Sequence, residues 1–453
     1  MKIIVAGCGK TGFAIAKELS KNGHSVTVLD KDLDVLSSAT GAIDVMGFSG
    51  DCTSLQSQIE AGVKEADLLI AVTDDDEINM LACLIARKAG NCRTIARIRS
   101  PQYTEEISFL RDELGLSMVI NPEMAAASEI VRLIQIPSAL EVETFAKGRV
   151  TLISVTIPEG SPLDGICVKD LPERACGDAL ICVTEHNGTV SIPNGDTALC
   201  AGDTISVALS MEEVGPFLNY VGLPAKHIKN VLIAGGSTMS YYLAKRLLDL
   251  KINVKIIESD KQRCERLADQ LPKAMIIRGN ATSRQLLEEE SVEDMDAVCS
   301  LMGRDEENIL LSLFVHKLDR TIKTITRMSR DSYSDLVADL PIGSVIRAKE
   351  LTSDYITRYV RSLQNATGSE MDALYQIMDG RVEALEFTVG SDFRYAGAPL
   401  KDLRILPNTL ICSISRGSRH IRPSGNDTIE PGDRVVLVTT NKGLKSFSEI
   451  VRG

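Results

Sequence analysis

The chain has 453 residues, with 62 acidic against 50 basic side chains, a formal charge of −12 and a pI near 5.1. That balance, with no basic stripe anywhere, excludes a nucleic-acid partner, because phosphate binding relies on clustered Lys and Arg. The eleven cysteines include no Cys-x-x-Cys pair and no Cys/His metal spacing, and the apolar runs fall well short of the ~20 residues that span a bilayer. No metal site and no transmembrane segment of its own are therefore expected. With Lys2 leading straight into a strand, the chain is expected in a reducing cytosol, with cysteines such as Cys83 and Cys182 as small core residues.

Residues 1–136 alternate two periodicities. Apolar, β-branched runs at Ile3–Ala6, Val26–Leu29, Leu68–Val72, Thr94–Ile98 and Met118–Ile120 predict strands. Between them, Phe13–Leu19 and Ile78–Ala89 have helical period. Strands alternating with helices of this length predict right-handed crossovers and a parallel sheet covered on both faces. Asn121-Pro122-Glu123 has the form of an N-cap followed by a first-turn proline, opening a helix over Met124–Ile134 that stops at Ile136-Pro137.

Residues 140–218 change character. Short strands are predicted at Val150–Ile157, Ala179–Val183, Thr189–Ile192 and Thr204–Leu209, with a helical turn at Val168–Leu171. Turn clusters such as His186-Asn187-Gly188 and Ala201-Gly202-Asp203 separate them. After a linker at Gly222–Lys226, residues 229–365 repeat the α/β pattern, with strands at Val231–Ala234, Val254–Glu258, Ala297–Leu301 and Lys323–Thr326. Pro341 and Gly343 are read as the counterpart of the Asn121-Pro122 turn. Residues 370–453 repeat the β-rich pattern, ending on a strand at Arg434–Thr439 and a short polar helix. The expected fold is thus α/β: two Rossmann-like doubly wound parallel-sheet domains, each followed by a small β-rich α+β subdomain.

The repeat keeps register. Asp30 and Glu258 are 228 residues apart, Asn79 and Asn308 229, and Arg97 and Arg327 230. Leu180-Ile181-Cys182 returns as Leu410-Ile411-Cys412, and Gly202-Asp203 as Gly432-Asp433. A unit this long is a duplicated pair of domains, not a solenoid of ~20–50-residue periods.

The first strand runs into Gly7-Cys8-Gly9-Lys10-Thr11-Gly12, a Gly-x-Gly-x-x-Gly turn opening a helix, and the second strand ends in Asp30. In that context Gly7 permits the tight turn, Gly9 lets backbone amides approach a pyrophosphate, and Gly12 lets the helix pack on the strand. The helix N-terminus offers unpaired N–H groups to phosphate. Asp30 can accept both ribose hydroxyls and repels a 2′-phosphate, which favours NAD(H), ATP or ADP over NADP(H). The second turn, Gly235-Gly236-Ser237-Thr238-Met239-Ser240, keeps the first glycine and replaces the others by serine, while Glu258 keeps the acceptor. A weaker or different occupancy is expected there. Gly50-Asp51-Cys52 and Gly279-Asn280-Ala281 form turns that could face the adenine. Thr73 and Asp74 sit at a strand's carboxyl end, where open sheets bind ligands. The acidic run Asp74–Glu77 is expected mainly to complement a helix dipole. Arg97 and Arg327, late in the fifth strand of each copy, are read as phosphate contacts.

No His–Asp pair, Lys base or Cys–His couple stands where a nicotinamide would lie. Of the five histidines, His24 and His227 are expected to face solvent, His316 to lie on a helix, and His186 and His420 in β-module turns. A nucleotide that is read rather than consumed is the expectation. An NAD-dependent oxidoreductase is the alternative.

The glycine turn, Asp30, Gly50-Asp51, Thr73-Asp74, Arg97 and Asn121-Pro122-Glu123 resemble the regulator-of-potassium-conductance (RCK, also KTN) domain. The β modules, with Pro193–Asp196 then Gly202-Asp203, and Pro423–Asn426 then Gly432-Asp433, resemble its C-terminal subdomain. The resemblance implies nucleotide contacts from Gly7 through Thr11, Asp30, Thr73, Asp74 and Arg97, and by register from Gly235 through Met239, Glu258, Met302 and Arg327. It further implies no enzymatic activity, a homo-oligomeric ring, and a potassium-translocating membrane subunit of the Trk type as partner. The chain would then work in the cytoplasm, peripherally on the inner face of the membrane.

Overall fold

The runs read as strands pair in parallel around the first of them. In a computed structural model, which describes residues 1–452 except 147–148, 173–176, 178, 224–227, 331–332, 334–336, 338–339, 366–370, 379, 418 and 445, the first sheet has six strands. They are β1 (Lys2–Ala6), β2 (Ser25–Asp30), β3 (Met46–Ser49), β4 (Leu68–Ala71), β5 (Arg93–Arg97) and β6 (Met118–Ile120), in the order β3-β2-β1-β4-β5-β6. Ile3 pairs with Val26 on one side and Leu68 on the other, so winding reverses beside β1. The crevice at such a reversal is where open α/β sheets take ligands. Strands β1 and β4 are buried on both faces, which explains their unbroken apolar runs. Strand β3, whose span the periodicity left unplaced, is an edge strand with Met46 64% exposed.

Helix Lys10–Lys21 buries Ile15, Ala16 and Leu19, then stops at Gly23 in the left-handed region. The His24 amide donates to Leu19 O (3.2 Å) and the Gly23 amide to Ser20 O (2.9 Å). This Schellman closure folds the following residue back on the helix. His24 is therefore buried, contrary to the expectation that it faces solvent. His227, linker residues Pro224–Lys226 and the His420 side chain lie outside the described residues.

The first β module is an antiparallel sheet of β7 (Glu141–Phe145), β8 (Val150–Thr156), β9 (Leu180–His186), β10 (Thr189–Ser191) and β11 (Thr204–Leu209), in the order β10-β9-β11-β8-β7. The turn at Val168–Asp170 is 3-10 helix. A helix not anticipated, Met211–Val221, follows, opened by a Ser210–Glu213 capping box. Gly215 and Pro216 inside it read as breakers, yet the buried stripe Val214, Phe217, Leu218 and Val221 holds it.

The second α/β domain repeats the topology with β12 (Asn230–Ala234), β13 (Asn253–Glu258), β14 (Met275–Arg278), β15 (Ala297–Ser300), β16 (Lys323–Arg327) and β17 (Ser344–Ile346). Arg327 pairs with Ile346 as Arg97 pairs with Ile120, so the register offset falls to 226 at the last strand. Arg347 thereby takes the place of Asn121. Pro341 and Gly343 precede β17 and correspond to the approach to β6, which corrects the assignment to the Asn121-Pro122 turn.

The second β module orders β18 (Met371–Ile377), β19 (Val382–Thr388), β21 (Thr409–Arg416), β22 (Arg419–Ile421) and β23 (Arg434–Thr439) as β18-β19-β23-β21-β22; β20 (Arg404–Ile405) pairs separately with β24 (Val451–Arg452). The expected polar terminal helix is instead a 3-10 turn, Phe447–Ile450, with Phe447 and Ile450 fully buried. Phe447 sits edge-on to Phe393 at 5.2 Å, so aromatic packing decides its placement.

Packing joins like with like. One body comprises Met1–Val131 with Lys229–Thr357, and the other Arg132–Ile228 with residues 358–453. In the second body, Phe145, Leu152 and Cys182 of one module share a core with Ile377, Val382 and Val436 of the other. In the first body, the buried Tyr242 hydroxyl donates to Arg99 O (2.8 Å), meets Thr104 Oγ1 (2.8 Å) and accepts from Asn121 Nδ2 (3.1 Å). This is a polar latch from the second α/β domain into the first. Tyr242→Phe should destabilise this body by about 1–3 kcal/mol, since it strips buried groups of a partner. A shift of the urea midpoint at constant m-value would register it; an unmoved midpoint would exclude the latch.

Candidate nucleotide cleft and its second copy

Each residue of the first glycine turn has its own surroundings. Gly7 lies at φ +90, donates to Leu29 O (2.9 Å), and a Cβ there would stand 2.8 Å from the Thr73 amide nitrogen. A Cβ at Gly12 would come 1.8 Å from Gly7 O. At Gly9 nothing lies within 4 Å. Gly7 and Gly12 thus permit backbone packing, whereas Gly9 leaves space. Gly9 is also the N-cap of helix Lys10–Lys21 and brings no side chain to its free amides. That end keeps donors and partial positive charge facing outward.

Asp30 closes on this turn. Its Oδ2 accepts from the Cys8 amide (2.6 Å) and its Oδ1 from the Asp32 amide (3.0 Å). A carboxylate has about four acceptor sites, so capacity remains beyond these two bonds. Across the crevice, Thr73 and Asp74 follow the carboxyl end of β4. Asp75 caps helix Asp76–Gly90 through the Ile78 amide (2.8 Å), and Asp76 accepts from the Arg99 and Ser100 amides (2.9 and 2.8 Å). The acidic run does serve a helix terminus. Arg97 is 8% exposed and lies 3.6 Å from both Asp74 and Glu123. Burial pulls its pKa down, against the pull of Glu123. Its Nε and Glu123 Oε2 are buried without a hydrogen-bond partner among the described residues.

The second cleft repeats the frame. Gly235 lies at φ +100, and Glu258 Oε2 accepts from the Gly236 amide (2.6 Å) while Oε1 accepts from Asp260 (2.8 Å). Burial alone would raise the Glu258 pKa, but the Asp260 and Gly236 amides, Ser259 and Arg263 outweigh it and hold the carboxyl below its ordinary value. The departures fall on the phosphate side. Ser237 caps helix Thr238–Asp249, accepting from the Ser240 amide (3.4 Å), with the two hydroxyls 3.1 Å apart. The donor that Gly9 leaves free is satisfied within the chain. By register, Gly303 and Lys349 replace Asp74 and Glu123, so neither carboxylate beside Arg97 recurs near Arg327.

Several predicted contacts can meet a ligand through backbone only. The Cys8 and Met239 side chains are 3% and 2% exposed. Cys52 packs into the first sheet's core with Ala61 and Cys83, and burial followed by Asp51 pushes its thiol up to about 11. Asp51 and Asn280 bond their own turns, accepting from the amide and hydroxyl of Thr53 and Thr282 respectively. Lys10 and Thr238 are exposed, Thr11 half-buried, and Met302 packs partly on the second core.

One pair of positions served only as register marks in the sequence and proves structural. Asn79, fully buried, accepts from the Thr73 amide (2.8 Å) and donates to Thr73 O (3.1 Å) and Arg97 O (3.0 Å). Asn308 makes the same bonds to Met302 and Arg327. The identical spacing in both halves was the available signal. Asn79→Leu should destabilise the first α/β domain by about 2–4 kcal/mol, orphaning the buried Arg97 carbonyl at roughly 1–3 kcal/mol and two part-buried Thr73 groups at less. Thermal unfolding would show it; an unchanged transition would refute the bracket.

These features define a class: a tandem Rossmann protein with two dinucleotide-type clefts, each domain followed by an antiparallel β module. The TrkA-N domain family matches residues 3–122 and 231–348, and the TrkA-C domain family residues 152–222 and 384–452. The chain belongs to the TrkA family. It is similar to the Trk system potassium uptake protein TrkA homolog of Archaeoglobus fulgidus, 32% identical with 100% of both chains covered. It is also similar to the Trk system potassium uptake protein TrkA of Halomonas elongata, 30% identical over 98% of this chain and 96% of the other. Among solved structures, the GsuK RCK domain overlays with a TM-score of 0.63 at 15% identity, covering 98% of this chain and 93% of that one. The GsuK channel bound to NAD gives 0.63 at 16%, covering 99% and 78%. These two overlays establish the shared fold. The named relatives are potassium uptake proteins. No helix among the described residues is long and apolar enough to cross a membrane.

Proposed function

We propose that the chain is a cytosolic, nucleotide-sensing regulatory subunit that gates a Trk-type potassium-translocating membrane subunit, assembled as a homo-oligomeric ring on the membrane's inner face. One observation carries this reading. The first cleft keeps a free helix N-terminus above an open Gly9, with the Asp30 carboxylate closing on the same turn and the buried Arg97 ending the strand next to β4, 3.6 Å from Asp74. NAD(H), ATP and ADP would rest their phosphates on the Gly7–Gly12 amides and their ribose on Asp30, with Thr73, Asp74 and Arg97 on the opposite wall. Arg97's unpartnered Nε–H fits an anionic group arriving there. The second cleft, from Gly235 through Met239 with Glu258, Asn280, Met302 and Arg327, would hold nucleotide more weakly because Ser237 already uses the helix end.

Dinucleotides and triphosphates end differently beyond the shared adenosine, so they would prefer different conformations. A ligand moves a gate only by that difference, typically ~1–3 kcal/mol. The proposed hinge and assembly surface are Met124–Ile134 and Glu350–Leu363, within helices Pro122–Gln135 and Ala348–Asn365, where the chain passes from one body to the other. Calorimetric titration with NADH, NAD⁺, ATP and ADP, paired with potassium flux through a co-reconstituted Trk-type membrane subunit, tests the reading. It predicts saturable binding and nucleotide-dependent flux. No binding at millimolar nucleotide, or steady NADH turnover with a metabolite, would overturn it.

A further inference from the structure

The first β module contains a side-chain cluster that nucleotide sensing does not use. His186 ends β9, Cys200 lies in the connection from β10 to β11, and Asp203 immediately precedes β11. One ligand atom from each, a ring nitrogen of His186, Cys200 Sγ and a carboxylate oxygen of Asp203, lies within 4.8 Å of the other two. Asp203 is 5% exposed, while His186 is exposed and Cys200 half-buried. His186 Nδ1 is 2.5 Å from Asp203 Oδ1, and Oδ2 accepts from the Cys200 amide (2.9 Å). Asn187 Nδ2 lies 2.9 Å from His186 Nε2 and helps to orient the ring.

The duplication supplies a reference inside the same molecule. At the 230-residue offset, Arg416, Glu430 and Asp433 occupy the three positions. The backbone is the same: the Glu430 amide donates to Asp433 Oδ2 at 2.9 Å, as Cys200 does to Asp203. There, however, Arg416 holds the buried carboxylate through two bonds, of 2.9 and 2.8 Å. A buried carboxylate is costly without a compensating positive charge. The second module provides a permanent cation. The first offers the same carboxylate an imidazole and a thiol.

We propose that His186, Cys200 and Asp203 bind a borderline-soft divalent transition metal, zinc being the best match. One nitrogen, one sulfur and one oxygen ligand with a fourth position for water suit zinc, whereas calcium and magnesium take oxygen ligands. Metal binding replaces the His186–Asp203 hydrogen bond: the bridging proton leaves Nδ1, and the ring is held as its Nε2–H tautomer with Asn187 turning its amide oxygen to that nitrogen. The 2.5 Å contact opens to about the 3.3 Å that tetrahedral ligands ~2 Å from zinc require. His186, exposed at a strand end, is free to make that movement. The Cys200 thiol gives up its proton to solvent as the metal–sulfur bond forms. The ion then ties β9 to β11 as Arg416 ties β21 to β23, making one module metal-dependent and the other not.

The full-length chain, stripped with chelator and titrated with Co²⁺, tests this. One equivalent should produce a thiolate-to-cobalt charge-transfer band that Zn²⁺ abolishes. Cys200→Ser should remove the band. The double variant H186R/C200E, which copies the second module's side chains and so should fold, should remove it with an unchanged circular dichroism spectrum. His186→Ala should weaken cobalt binding at least ~10-fold, since losing even an outer-shell partner costs about 10–100-fold. The absence of any thiolate band at millimolar cobalt, or a band that survives Cys200→Ser, overturns the proposal.

Discussion

Asp30→Ala is expected to weaken nucleotide binding at the first cleft by about 100-fold or more while the chain still folds. Two hydrogen bonds from ribose hydroxyls to a carboxylate are worth roughly 1.5–3 kcal/mol each, and about 1.4 kcal/mol is a factor of ten. The substitution also releases the Cys8 and Asp32 amides from their bonds of 2.6 and 3.0 Å. Both amides belong to loops beside the open cleft, so water can replace the lost acceptor and the cost to stability should stay near 1–3 kcal/mol. Titration calorimetry reads the first effect and urea unfolding the second. Glu258→Ala should change nucleotide affinity far less if the first cleft carries the binding. Wild-type affinity in the Asp30 variant would remove that carboxylate from the site, and a larger loss from the Glu258 variant would reverse the order of the two clefts.

Gly9→Ala and Gly12→Ala should separate binding from folding. At Gly9 the backbone lies at φ −63, which alanine adopts freely, and an added Cβ meets nothing within 4 Å. Stability should change by less than about 1 kcal/mol, the ordinary range for an N-cap exchange. Nucleotide affinity should fall at least ~10-fold, because the methyl stands where a pyrophosphate must approach. At Gly12 the added Cβ would sit 1.8 Å from Gly7 O, a clash with backbone that no rotamer relieves. That variant should lose more than about 3 kcal/mol, at or beyond the top of the range for overpacking. Denaturant midpoints and calorimetry on the pair give opposite patterns if the division holds. Unaltered affinity in Gly9→Ala would mean that phosphates do not rest on this turn. Gly9→Ser goes further, placing at the first helix the residue type that caps the second through Ser237.

The structure shows why some positions could be read in advance and others not. Strands β1, β4 and β5 were plain because both faces are buried, so their central residues form apolar or β-branched runs without alternation. Edge strands β3 and β7 were missed because β3 is exposed apart from half-buried Phe48 and β7 is only partly buried. Pro216 concealed a helix whose tertiary packing overrides a local penalty. His24 looked like a surface residue, yet a helix-end motif folds it inward. In the cleft, glycine spacing located the turn, but the roles of Gly7, Gly9 and Gly12 depend on what stands opposite each one.

By itself, the amino-acid sequence determined the kind of the long elements whose periodicity is unbroken, the duplication, the glycine turns and the acidic residues that close on them. All of these are written in short-range periodicity or in register between copies. Tertiary structure alone decided that like domains pack with like, that Tyr242 and Asn79 tie separate elements together, and that His186, Cys200 and Asp203 converge. The physical reason is that burial and hydrogen-bond satisfaction are settled among residues far apart in the chain. The antiparallel pairing that sets Thr204 beside Glu185 brings Asp203 to His186 across 17 positions, and no local pattern records it.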